Sequence, residues 1–256
     1  MSASFTGEQK MNERFFDLKK DRQDRIINGA LKVITENGYR HASTDEMVSA
    51  ASISKGLLFH YFKSKKGVYQ FLYEYSTRYT MIELREARRK AGCDFFEMHR
   101  LLMKADAAVL RKYPCMPLFL DRADREANAV GIEFPPDLAG SVYKLRSELL
   151  AGAQRPPFLT EKDTDQISLI LFYARNGIMR DLLLKGTGIP DQDNKAGTGK
   201  GPADGAVQGT SEGIPDALPS VFKDYKEESG DSPLPLHEEY IQKYTGCLQM
   251  MRRLNM

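Results

Sequence analysis

The sequence predicts an all-α protein on three observations. Apolar residues recur at helical spacing along most of the 256 residues. Short runs open on Ser or Thr, residues that cap helices. Prolines at positions 114, 117, 135, 136, 156 and 157 punctuate the middle of the chain.

The first element runs from about Lys20 to Asn37, where Ile26, Ile27, Ala30, Leu31 and Ile34 mark one face of an amphipathic helix. Asn37-Gly38 is its expected stop, because Gly takes the left-handed conformation that ends a helix. Ser43, with Glu46 three residues on, fits a capping box, and Thr44 is an alternative cap. Met47, Val48 and Ala51 then face inward in a short helix. Ser54 caps a third helix, Lys55 to Phe62. Ser64 caps a fourth, long one, with Val68, Phe71, Leu72, Tyr75, Tyr79 and Ile82 at helical spacing. Residues 94–112, 117–129, 137–152 and 161–186 are further helices, and a last amphipathic one covers about Leu236 to Leu254. From about 187 to 232 the composition turns Gly-rich, polar and aperiodic, which predicts a flexible insertion with a short ordered piece at "LPSVFKDY".

Composition sets the class. Apolar residues are 41% and charged residues 28%, as in a globular protein with a substantial core. No apolar run approaches the roughly 20 residues of a membrane span, and the N-terminus lacks a signal-peptide hydrophobic region. Cys93, Cys115 and Cys247 are odd in number and far apart, and are read as reduced thiols. A cytoplasmic protein without membrane attachment is expected. The net charge is only +2, but residues 1–66 carry 12 Lys or Arg against 8 Asp or Glu. Within Ile53–Lys66 there are four lysines and no carboxylate, which points to a local anionic partner.

That segment sits in a frame of two short helices joined by a tight turn, Ser43 to Phe62, the form of a helix-turn-helix. On the second helix Leu58 and Phe62 can pack inward with Ile53, leaving Lys55, Phe59 and Lys63 on another face with Gly56 and His60 beside them. The helix start presents free N–H groups and a partial positive charge, suited to phosphate. No carboxylate or nucleophile lies near His60 in sequence, so it is read as a groove contact rather than a catalyst. "GTGKGPADG" is not a phosphate loop, because Gly201 follows Lys200 and no strand precedes it. "DQDNKAG" lacks the ligand spacing of a calcium loop. Neither a metal, a cofactor nor a catalytic residue is expected.

The stretch "TDEMVSAASISKGLLFHYFKSKKGVYQFL", with the preceding "IINGALKVITENGYRHAST", resembles the DNA-binding domain of the TetR/AcrR family of bacterial transcriptional regulators from about Arg22 to Tyr73. The resemblance implies an N-terminal helix-turn-helix domain over residues 1–66 and a helical regulatory and dimerisation domain over 67–256. It implies phosphate contacts from Thr44 and Lys65, and contacts to the major groove or its edges from Ser54, Lys55, Gly56, Phe59, His60 and Tyr61. Three departures stand out. Ser52 replaces the common turn Gly, so strain is expected there. Phe59 replaces a common Tyr and loses its hydroxyl. Leu57 replaces a polar base-reading group. The resemblance also implies a homodimer built on the last two long helices. Ile167, Leu171, Ala174, Ile178 and Leu182 offer one stripe, and Leu236, Tyr240, Tyr244, Leu248 and Met251 the other.

The expected function is a ligand-responsive regulator, a repressor rather than an activator, binding a palindromic double-stranded DNA operator. Its effector is expected to be apolar or aromatic, because the C-terminal part is rich in Met, Phe and Tyr. Met103, Phe119, Phe172 and Arg175 are the candidate ligand residues. The competing reading is a helical small-molecule carrier or enzyme that keeps a vestigial DNA-binding domain.

Overall fold

A computed structural model describes residues 14–187 and 234–254. After a helical turn at 14–16, the chain forms α1 (Lys20–His41), α2 (Thr44–Ala51), α3 (Lys55–Phe62), α4 (Lys65–Glu83) and α5 (Arg85–Arg89). Then come α6 (Phe95–Lys112), α7 (Met116–Val130), α8 (Ser141–Ala151), α9 (Glu161–Thr187) and α10 (Leu236–Leu254). The expected insertion, with its "LPSVFKDY" piece, lies from residue 188 on outside the described residues.

Three serines set the first helix starts. Ser43 Oγ accepts from Asp45 N at 3.2 Å, Ser54 Oγ from Leu57 N at 3.2 Å, and Ser64 Oγ from Gly67 N at 3.0 Å. Each satisfies one of the N–H groups that a helix start leaves open. Ser43 rather than Thr44 is the cap of α2, and Glu46 accepts from Asn37 Nδ2 at 3.3 Å instead of closing a capping box. Ser52 ends α2 in the left-handed conformation (φ 52°, ψ 51°), the strain expected where Ser stands for Gly.

α1 does not stop at Asn37-Gly38. Gly38 leaves helical geometry (φ 70°, ψ 167°), and a last turn carries the helix to His41. A Cβ at Gly38 would meet only the ends of the flexible Arg122 and Glu126 side chains, so it is the positive φ of the bend that calls for glycine. At Gly29 an added Cβ would stand 2.7 Å from Ala51 N, which explains how α1 and α2 cross so closely.

Three apolar clusters hold the helices together. One joins Ile26, Ile27, Leu31 and Ile34 of α1, Met47, Leu58 and Phe62 of α2 and α3, and Val68, Phe71 and Leu72 of α4. It continues into Val109, Met116 and Phe119. The second joins Met103, Ala107 and Leu110 of α6 to α9 and α10. The third joins Met98, Leu101, Leu102 and Ala105 of α6 to Leu84, Ala87, Leu145 and Leu149. α6 feeds all three, so it is the central helix. α4 is likewise enclosed on more than one side: Tyr69, Tyr73, Ser76, Thr77 and Thr80 are buried, whereas Ile82, expected inside, is exposed.

The stripes assigned to a dimer interface face inward. Ile167, Leu171 and Leu182 of α9 and Tyr240, Tyr244, Leu248 and Met251 of α10 are all buried in the cluster with α6. The amphipathic reading of both helices holds, but the surface that each stripe covers belongs to the same chain.

Candidate nucleic-acid interface

Met47, Leu58 and Phe62 anchor α2 and α3 to the head. What remains outside is a face made by Ser54, Lys55, Gly56 and His60, all exposed, with Phe59 half-buried at its edge. Ser54 Oγ occupies Leu57 N, so the N–H groups of Lys55 and Gly56 are left at the open helix end. A Cβ at Gly56 would meet nothing within 4 Å. Among the described residues nothing crowds this position, so the backbone at the helix start is uncovered. Such an end suits an anionic oxygen, by its free donors and its dipole.

The remaining expected contacts are placed differently. Tyr61 is buried, its ring edge-on to Phe15 at 5.8 Å and to His60 at 5.2 Å, so it backs the exposed face from inside. Thr44 is half-buried in the first turn of α2. Lys55 does not stand free: its Nζ lies 2.8 Å from Asp45 Oδ1 and 3.0 Å from Oδ2. Lys65 Nζ donates to Arg40 O and Ala42 O, both at 3.1 Å, and lies 4.8 Å from the centroid of the Tyr39 ring. It closes the carbonyl end of α1, where a cation is favoured. Lys63 and Lys66 flank the same edge, both exposed.

A family model described as bacterial regulatory proteins, tetR family, matches residues 26–70, from α1 to the first turns of α4. Over these residues the chain is similar to the N-terminal domain of the tetR family. The matched segment carries a helix-turn-helix of the DNA-binding tetR type, with α3 as its second helix. No curated protein sequence matches the chain. Among solved structures it is similar to a TetR family transcriptional regulator, PfmR from Thermus thermophilus. That likeness has 15% identity and a TM-score of 0.39, over 88% of this chain and 97% of the other.

The four residues expected at an effector site do not converge. Met103 is buried between α6, α9 and α10. Phe119 is buried in the cluster with the head, edge-on to Tyr69 at 5.5 Å. Phe172 is 39% exposed on α9. Arg175 is buried in an ionic network: Nε donates to Asp106 Oδ2 at 2.8 Å, Nη2 to Oδ1 at 3.1 Å, and Nη1 to Asp121 Oδ2 at 3.3 Å. Arg146 also pairs with Asp106, and Tyr240 Oη donates to it at 3.1 Å. Burial pushes the Asp106 carboxyl up, but the Arg146 and Arg175 guanidiniums hold it down to about 2. The sequence reading missed this network because its members lie far apart in the chain and each polar residue alone reads as surface.

Proposed function

We propose that this protein is a TetR-type regulator, acting as a homodimeric, effector-released repressor at an operator of two related half-sites. The observation that carries the reading is the exposed face of Ser54, Lys55, Gly56 and His60 at the open end of α3. It combines base-reading side chains with backbone donors for phosphate. Two-fold DNA needs two such faces. The outward side of α9 suits the dimer contact: Leu169, Ile170, Phe172 and Tyr173 are exposed together, more than the scattered apolar residues of an ordinary surface. A small molecule binding beyond residue 67 would favour a form whose heads are wrongly spaced, and so shift the population off DNA.

The test is selection of genomic fragments by the full-length protein. One recurring site is expected, with two related halves spaced by about 10 base pairs or a multiple of that. Recovery of no recurring site in any fraction would overturn the reading.

A further inference from the structure

The segment Ile53–Lys66 holds four lysines and no carboxylate, yet its first lysine is met by a carboxylate from another helix. Lys55 opens α3, and Asp45 stands in the first turn of α2. The Lys55 Nζ lies 2.8 Å from Asp45 Oδ1 and 3.0 Å from Oδ2. Among the described residues Lys55 alone of these four lysines pairs with a carboxylate. The neighbouring Glu46 turns to Asn37 instead. The pair is open to solvent, with the Lys55 side chain 50% and the Asp45 side chain 70% exposed, and it borders the face of Ser54, Gly56 and His60.

Stability gives little reason for such a pair. Exposed ion pairs contribute little to a fold. Asp45 is favoured in the first turn of α2 by the helix dipole whether or not Lys55 reaches it. The caps of both helices belong to serines, Ser43 and Ser54. For a surface whose only task was to grip the DNA backbone, the pair is a loss. It cancels one positive charge and places a negative one where phosphates approach. Its other effect is on order. A free lysine is a flexible point charge that follows the nearest phosphate. A lysine held by both oxygens of a carboxylate is fixed at its head, and of its three N–H groups one is left to donate. A fixed donor at the open end of α3 suits a base edge, whose acceptors have fixed places, better than a phosphate.

We infer that Asp45 is a specificity-determining residue. It holds Lys55 back from the phosphates and presents it to a base in the major groove. Guanine is the matching base, because its N7 and O6 both accept there. Lys55 makes the contact, and Asp45 is a positioning residue that acts through it. A duplex without the matched base meets the Asp45 charge and gains nothing from Lys55, so the pair widens the gap between operator and random DNA. The inference rests on the reading above that this face meets DNA.

The experiment selects bound sites from a pool of random duplexes with the full-length protein and its Asp45→Asn and Lys55→Met variants. Each is then titrated by fluorescence anisotropy over a salt series. The unaltered protein should select a guanine at one position of each half-site, and changing it to adenine should lower affinity about fivefold or more. Asp45→Asn should select the rest of the site unchanged but tolerate any base at that position within about twofold. Its freed lysine should steepen the slope of log affinity against log salt by up to about 0.9. Lys55→Met should lose the same base preference without the steeper slope. A merely electrostatic role for Asp45 would raise affinity for every site alike and leave the selected bases as they were, which overturns the inference. So does a guanine preference that survives Lys55→Met. Recovery of no recurring site by the unaltered protein sinks the regulator reading itself, whereas a recurring site read identically by all three proteins sinks only the role of Asp45.

Discussion

Lys65→Met separates gripping the DNA from building the head that grips it. The substitution keeps the aliphatic stem and removes the ammonium. That ammonium makes two hydrogen bonds to the last carbonyls of α1 and sits over the Tyr39 ring. At this half-exposed site each contact is worth a fraction of a kcal/mol to about 1 kcal/mol, so the loss should be about 1–2 kcal/mol. For a chain of this size that lowers the melting midpoint by roughly 2–8 °C. A lost phosphate contact would instead reduce the slope of log affinity against log salt by about 0.9. With two of its three N–H groups turned inward, Lys65 should change that slope by less than about half as much. The assay is fluorescence anisotropy with a random duplex over a salt series, beside thermal unfolding monitored by circular dichroism. A slope change near 0.9 with an unaltered midpoint would refute the reasoning and restore Lys65 as a phosphate contact.

Three further outcomes are expected. Asp45→Asn releases Lys55 and removes a negative charge beside the groove-facing helix, so affinity for random duplex should rise by up to roughly fivefold, and weaker binding would show that the pair serves contact with the backbone instead. Asp106→Asn leaves two largely buried guanidiniums without their carboxylate and should destabilise the fold by roughly 3–5 kcal/mol in urea titrations. The pH dependence has a definite sign. A carboxyl held down to about 2 stabilises the fold fully above the unfolded value near 4 and loses that contribution, roughly 2 kcal/mol, as pH falls through 2. The variant should lack this acid-side loss, and an identical profile would contradict the assignment. Ile170→Glu/Tyr173→Glu places charge on the outward side of α9 and should give a folded monomer of 29.0 kDa by light scattering, whereas an unchanged dimer would move the interface elsewhere.

The reading helix was legible because its signals are local. Ser54 and the apolar pair Leu58 and Phe62 define α3 within a short stretch, and its bounds come out as Lys55–Phe62. The strain at Ser52 was expected from the resemblance, in which Gly commonly stands at that turn, and it is present because a turn needs its own backbone conformation whatever surrounds it. Long-range choices were not. A stripe such as Tyr240, Tyr244 and Leu248 states that a helix face is covered, not whether the cover is α6 or a second copy. α4 shows the opposite failure. It is enclosed on several sides, so its buried set spreads beyond one stripe, and Ser76 and Thr80 in its core look like surface residues to any hydropathy pattern. Ion pairs such as Lys55 with Asp45 depend on the crossing of two helices, which spacing does not supply.

α7 links the interior of the C-terminal part to α1. One side of α7 meets the interior, with Asp121 accepting from Arg175 and Asp124 from Tyr73. The adjacent side holds α1: Arg122 Nη1 donates to Thr35 O at 2.9 Å, and Ala129 O accepts from Arg40 Nη2 at 2.7 Å. The other end of α1 is held by α6. There Tyr113 Oη donates to Asp24 Oδ1 at 2.5 Å, and Asn28 Nδ2 donates to Lys112 O at 3.1 Å. α1 is therefore fixed at both ends to helices that wall the interior, and it crosses α2 backbone-close at Gly29. Close-packed elements transmit shifts rather than absorb them. Under the proposed function, an effector that displaces α7 displaces α1, and with α1 the pair α2 and α3. The Arg175 network is thus joined to α1 through α7 by hydrogen bonds whose donors and acceptors can be removed one at a time, and α1 to α2 by close packing.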